Sequence, residues 1–332
     1  MKYSIIIPVY NRTIELECCL FCLSKQTLRD FEVIICDDGS SEDTLSLVRK
    51  MDKTFGKIKY FWQPDKGFRA GQARNRGVDL MDKTSGTIIF LDSDIIFRED
   101  WLATYDRITK AHPDCIICGR YDFLLPTSFR IRVENVAHDF DKVVSNAFPI
   151  LRIPWGEFFG KDMRKELFQK DKEEREKTGK NRIVTESGGA LFGGNTLMPK
   201  AAFQEIGGFD ENIIRHGGED SDLGQTAQEK GIPFIFSEQP MAWHIYHQRD
   251  QEKNKKDLVK NIIYIDKSMG RRAKIVDCIN FLEGEIEGLK KGEVLIEELS
   301  KADITVKVEK LSPEEELGLM VEEKTPKFIL SG

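Results

Sequence analysis

The sequence lacks any apolar run approaching the roughly 18 residues that cross a bilayer. Its opening, Met1-Lys2-Tyr3-Ser4-Ile5-Ile6-Ile7-Pro8, is too short and too soon stopped by proline to be a signal peptide. Cysteine lacks a pattern: the 7 residues are odd in number and unevenly spaced, which suits free thiols in a reducing compartment. Cys115-Ile-Ile-Cys118 has the form of a metal or redox pair, but it has no second pair and lies in an apolar run, so it reads as buried strand. A basic excess is missing too. With 50 Lys+Arg against 56 Asp+Glu, the net charge is −6, and nothing in that total would release counterions from a nucleic-acid backbone. No nucleic-acid partner is expected. The chain is therefore read as cytoplasmic and without a transmembrane segment, leaving peripheral membrane contact open. Its length fits one large α/β unit with additions, able to fold without metal or disulfide staples.

What is present is an alternation of strand and helix patterns. Tyr3–Val9, Phe31–Cys36, Lys57–Trp62 and Thr87–Leu91 read as strands. Between them, helices are predicted over Thr13–Lys25 (Thr13 as cap; Ile14, Leu16, Leu20 and Leu23 inward), Ser41–Met51 (Glu42 and Asp43 in the first turn) and Gly71–Met81. This order implies an α/β, doubly wound, mostly parallel sheet, and right-handed crossovers gather the strands' C-terminal ends on one rim. The polar clusters Tyr10-Asn11, Asp37-Asp38 and Asp92-Ser93-Asp94 all fall at those ends, where open α/β sheets bind ligands. Further along, the charge run Lys170–Lys177 reads as a solvated helix face. Asp222–Lys230 reads as a helix closed by Gly231, Ile232–Phe236 as a strand and Ile275–Leu289 as an amphipathic helix.

Three constellations carry possible chemistry. Asp92 and Asp94, two apart after a strand, are expected to point to one side, where converging carboxylates call for a cation or hydrogen-bond donors; such pairs also simply cap loops. Gly217-Gly218-Glu219-Asp220 sets carboxylates at the positive end of a helix, which favours their ionised form and suits proton acceptance from a hydroxyl; the plain alternative is a glycine turn feeding a helix. His244 and His247 stand out because the sequence has only 5 histidines. Imidazoles joined to a carboxylate favour manganese over magnesium, although an aromatic surface strand would explain the pair equally well in isolation.

Taken in order, Ile7-Pro8-Val9-Tyr10-Asn11-Arg12, Asp37-Asp38-Gly39-Ser40, Gly67-Phe68, Ala73-Arg74-Asn75-Arg76-Gly77 and Asp92-Ser93-Asp94 resemble a family 2 glycosyltransferase of the GT-A fold. The later Gly194-Asn195, Gly207-Gly208-Phe209-Asp210, Gly217-Gly218-Glu219-Asp220 and Tyr246-His247-Gln248 are similar to the half shared by chondroitin-polymerase-type transferases and β-1,4-galactosyltransferases. The resemblance implies a GT-A domain over residues 1–265, with a nucleotide-binding half at 1–119 and an acceptor and metal half at 120–265. Residues 266–332 lie outside the resemblance and are expected to form a C-terminal helical extension of unassigned role.

The resemblance also implies roles. Pro8 and Tyr10 would frame a nucleotide base and Asp38 accept the uracil N3–H. Arg74 would hold this region against the diphosphate, and Asp92 with Ser93 would lie near the ribose. Asp94, His247 and His244 would ligate Mn2+, with Mg2+ the alternative. Asp220 would be the catalytic base of an inverting enzyme, with Glu219 beside it toward substrate hydroxyls. The implied reaction moves a sugar from a UDP-sugar donor to a hydroxyl of a glycan or other acceptor. His216 stands where the galactosyltransferase-like pattern has Trp, which weakens any carry-over of the acceptor-stacking contact. A Gln-x-x-Arg-Trp motif is absent, which argues against a processive membrane synthase. Two other protein classes share parts of this pattern. A sugar nucleotidyltransferase would carry a Gly-rich phosphate loop where Pro8-Val9-Tyr10-Asn11-Arg12 stands, and a non-catalytic nucleotide- or glycan-binding relative would be expected to have lost Asp94, Asp220 or His247.

Overall fold

Ile5, Ile6 and Ile7 are consecutive and all fully buried, as are Val33, Ile34 and Ile35. Runs without alternation belong to strands covered on both faces, so helices must flank this sheet on either side. The computed structural model describes residues 2–41, 43–56, 58–126, 130–145, 150–153, 164–247, 253–254, 257–258, 260–261, 264–265, 305–308 and 328–331.

Its main sheet comprises β1 (Tyr3–Val9), β2 (Phe31–Asp37), β3 (Ile58–Trp62), β4 (Thr87–Leu91), β5 (Ile95–Phe97), β6 (Ile116–Pro126), β7 (Ile150–Ile153), β8 (Asn195–Pro199) and β9 (Phe234–Ile245). The order is β3-β2-β1-β4-β8-β6-β9-β5, with β7 paired to β6. From β3 to β4 every pairing is parallel. β8 then runs antiparallel between β4 and β6, and β9 is parallel to β6. One rim thus collects the C-terminal ends of β1, β2, β4 and β9 and the N-terminal start of β8. The helices are α1 (Thr13–Ser24), α2 (Thr44–Phe55), α3 (Ala70–Asp79), α4 (Trp101–Ala111), α5 (Val133–His138), α6 (Phe140–Val144), α7 (Arg164–Thr178), α8 (Lys200–Ile206) and α9 (Glu219–Glu229).

Several boundaries differ from the sequence reading. Thr13 is the first helical residue of α1, and Arg12 occupies the cap position. Leu16, Leu20 and Leu23 are buried as expected, while Ile14 is only half-buried and Cys18, Cys19 and Cys22 fill the inner face instead. Asp43 precedes α2 as its N-cap, accepting from the Ser46 backbone N–H at 3.0 Å. α9 begins at Glu219 rather than at Asp222, because Gly218, at φ 99°, already stands as its cap. β5, three residues long, carries too little pattern to read. Cys115 and Cys118 are free and buried, and burial pushes their thiols up to about 11 and about 12, which suits strand packing rather than redox work. No helix among the described residues is long and apolar enough to cross a membrane. The amphipathic helix expected over Ile275–Leu289 lies outside the described residues. Within 266–332, Thr305–Val308 and Phe328–Ser331 pair antiparallel as a separate sheet.

α3 lies so close to β1 and β2 that a Cβ on Gly77 would come within 2.5 Å of Ile6 Cγ2 and 2.8 Å of Cys36 Sγ. Both neighbours are fully buried. Gly77→Ala is therefore expected to lower stability by about 1–3 kcal/mol through overpacking, read as a lower urea midpoint with an unchanged denaturant slope.

Candidate active site

The rim brings two clusters together. The first grows from the end of β4. After Leu91 the chain leaves the strand in a turn, with Ile95 N–H donating to the Asp92 carbonyl at 3.3 Å, and re-enters the sheet as β5. β5 pairs antiparallel with β9 so that Ile95 faces His244, and the Ile245 N–H donates to the Asp94 carbonyl at 2.8 Å. This register sets Asp94 beside both histidines. His247 Nε2 lies 2.9 Å from Asp94 Oδ2 and His244 Nε2 lies 3.4 Å from Asp94 Oδ1. One ligand atom from each of Asp94, His244 and His247 lies within 4.8 Å of the others. Asp94 and His244 are buried, and the His244 ring packs 5.7 Å from Tyr121 and 5.2 Å from Phe123. A carboxylate oxygen and two imidazole nitrogens in a mostly dry setting make a donor set suited to a divalent transition metal.

The second cluster surrounds Arg74, on α3. Its buried guanidinium reaches Asp92 at 2.9 Å, Glu219 at 3.4 Å and Asp220 at 3.5 Å, with the Phe209 ring 5.4 Å from its Cζ. The Asp92–Asp94 turn thus sends its two acids to different partners, Asp92 to Arg74 and Asp94 to the histidines. The strand ends at Leu91, so the two acids leave it through a turn rather than from one strand face, and the charge of Asp94 still acts on Asp92. Gly193-Gly194 closes this cluster from below. A Cβ on Gly193 would stand 2.6 Å from Asp220 Oδ1, and one on Gly194 2.6 Å from Asp92 Oδ2. Asn195, fully buried at the start of β8, accepts at its Oδ1 from Trp101 Nε1 and Tyr105 Oη, both at 3.0 Å. Ser93 is buried within the turn.

At the other end of the rim, Asp37 and Asp38 part company. Asp37 caps its own turn, accepting from the N–H groups of Gly39 and Ser40 at 3.1 and 2.7 Å and from Tyr60 Oη at 2.8 Å. Asp38 accepts from Gln63 Nε2 at 2.6 Å and the Arg69 N–H at 2.7 Å. Burial pushes its pKa upward against those donors. Pro8 lies on β1, and Tyr10, 46% exposed, donates to Asp65 Oδ2 at 3.0 Å. Sequence reasoning assigned no role to Gln63, Arg69 or Arg12. Arg12 Nη2 stands 2.9 Å from His247 Nδ1, and its place in the polar turn between β1 and α1 was the available signal.

The profile of glycosyl transferase family 2 matches residues 4–207, and that of the N-terminal domain of galactosyltransferase matches residues 184–248. The chain belongs to glycosyl transferase family 2. It is 29% identical over 267 residues to validoxylamine A glucosyltransferase of Streptomyces hygroscopicus, covering 78% of this chain and 58% of that one. It is 29% identical over 242 residues to chondroitin synthase of Escherichia coli, covering 73% of this chain and 34% of that one. The chain thus spans little more than half, or less, of these relatives' length. Among solved structures, GalNAc-T7 with UDP, GalNAc and Mn2+ superposes with a TM-score of 0.57 at 17% identity, over 82% of this chain and 48% of that chain. S. aureus TarS with UDP-GlcNAc gives 0.52 at 15%, over 83% and 69%. These likenesses give the fold, a GT-A type α/β sheet.

Within this family 2 site, Glu219 departs from the sequence expectation. The helix N-terminus was expected to keep it ionised; instead burial, and then the charge of Asp220, push its pKa up to about 8 against the pull of Arg74. From its ordinary value of 4.5 up to about 8, folded Glu219 holds a proton that the unfolded chain has released. Its contribution to stability is therefore present below that window and is lost as pH rises through it. Urea midpoints measured from about pH 5 to pH 8 are expected to fall, and Glu219→Gln to flatten that fall.

Proposed function

We propose that this chain transfers a sugar, with inversion, from a UDP-sugar to a hydroxyl of a glycan or other acceptor, using a divalent metal with Mn2+ preferred over Mg2+. The observation that carries this reading is the meeting of Asp94, His244 and His247 within 4.8 Å on the same rim as the Arg74-linked Asp220. When bound, such an ion acts as a Lewis acid toward a departing diphosphate. Asp94 and the two imidazoles would hold it, and the mixed oxygen and nitrogen donors favour manganese.

The remaining work falls to the chain's own groups. Asp38, braced by Gln63 and Arg69, accepts the uracil N3–H, and Tyr10 and Pro8 flank the base. Asp92 and Ser93 line the ribose side. Arg74, nearly fully buried and shared among three carboxylates, contributes less as a phosphate ligand than as a post that fixes Asp220 relative to Asp92. Asp220 takes the proton from the acceptor hydroxyl, and a base on the face opposite the leaving group implies inversion. Glu219 orients substrate hydroxyls. The UDP-GlcNAc bound by S. aureus TarS and the UDP and Mn2+ bound by GalNAc-T7 support a UDP-sugar donor and a divalent metal. The glucosyltransferase and chondroitin synthase relatives support a hydroxyl acceptor.

Calorimetric titration is expected to show UDP binding that needs Mn2+, is abolished by EDTA and is not matched by GDP. His247→Ala should remove the metal dependence. Equal affinity with and without metal would take the roles from Asp94, His244 and His247. Asp220→Asn should lower kcat for transfer by about 10²–10⁴-fold with UDP affinity intact; loss of both together would reject Asp220 as the base.

A further inference from the structure

Asn261 lies beyond β9, the last strand of the main sheet, and beyond residues 4–207 and 184–248 matched by the family profiles. It is only 1% exposed. Its side-chain amide donates to the Gly217 carbonyl at 2.7 Å and the Arg215 carbonyl at 2.8 Å, with the His216 carbonyl at 3.4 Å. An amide nitrogen has two protons to give, and the two short contacts take them. Neighbouring carbonyls aimed at one point repel one another, and a fully buried amide between them offsets that repulsion by donating to them. Leu258 and Ile265 lie against the glycines that follow. A Cβ on Gly217 would stand 3.0 Å from Leu258 Cδ1, and one on Gly218 3.4 Å from Ile265 Cδ1. Tyr264 Oη donates to Asp210 Oδ2 at 2.9 Å, tying down the loop's other end. Gly217 and Gly218 take φ of 86° and 99°, the left-handed region open to glycine, and the chain passes from them directly into Glu219 and Asp220 at the start of α9.

We propose that Asn261 is a positioning residue for the reaction: its amide sets the 215–218 turn, and through it the placement of the Glu219-Asp220 pair. Leu258, Asn261 and Tyr264 are then part of the active-site framework. This inference rests on Asp220 being the base. It predicts a division of labour, because Asn261 has no contact with Asp38, Asp94 or the histidines that would hold the donor.

The test uses the full chain. Asn261→Asp keeps the shape and removes the donor N–H groups. It is expected to lower kcat by about 10²-fold, the scale of a small misplacement of a reacting group, with donor KM and Mn2+-dependent UDP affinity unchanged. Amide hydrogen exchange in residues 215–220 should quicken while that of β1 and β2 does not. Asn261→Gln, which restores an amide donor, should recover part of kcat. If Asn261→Asp does not fold, Tyr264→Phe, losing the Asp210 contact, serves for the same comparison with a smaller loss. Unchanged kcat with unchanged exchange would overturn the proposal, as would a rise in KM matching the fall in kcat. Asp220→Asn assayed in parallel separates the two ideas. Should that variant keep full transfer, the base assignment fails, and the exchange rates alone decide whether Asn261 holds the turn.

Discussion

A single buried guanidinium organises the rim. Arg74 is almost completely enclosed, and Asp92, Glu219 and Asp220 reach it from two other parts of the chain. Three carboxylates against one cation leave an excess of negative charge in a poorly hydrated place, and a proton on Glu219 relieves part of it. Removing Arg74 from such a cluster is costly, about 3–5 kcal/mol, because the carboxylates are left uncompensated. The arrangement therefore specifies geometry more than it adds stability. It ties α3, the end of β4 and the start of α9 to one point, and Gly193-Gly194 leaves room for it by lacking side chains.

The grouping of Asp94 with His244 and His247 rests on a different constraint, the antiparallel pairing of a three-residue strand. Asp94 and His244 are 150 positions apart, yet β5 against β9 sets Ile95 opposite His244. A shift of one residue in that register would turn His244 to the other face of the sheet. His247 lies just past the end of β9, where it reaches Asp94 and meets Arg12 from the end of β1. The two clusters share the turn at residues 92–94, so the Asp94–histidine group and the Arg74–Asp220 group are coupled through covalent chain as well as through charge.

Adjacent acids at the end of β2 show how strand alternation divides labour. Asp37 spends both carboxylate oxygens on its own loop and on Tyr60. Asp38, one residue on, faces Gln63 and Arg69 instead. The fixed loop is what gives the neighbouring carboxylate a fixed direction.

Much of the N-terminal half was legible in the sequence. β1 to β4 lie within a residue of their expected bounds, because strands buried on both faces read as unbroken apolar runs stopped by polar residues, and the rim of Tyr10, Asp38, Asp92 and Asp94 follows from that order alone. The amino acids at the site, and their resemblance to family 2 glycosyltransferases, were likewise visible in local motifs. Tertiary structure decided the rest. β5 is too short to carry a pattern, and the partners of Asp92 and Asp94 depend on where the chain turns. The protonation of Glu219 reverses the local expectation, because burial beside Asp220 outweighs a helix N-terminus. Asn261 belongs to no motif, since its role comes from three carbonyls more than forty residues away. Sequence patterns report what a residue meets within a few positions; charge, burial and hydrogen bonding at this site are set by neighbours that only folding brings near.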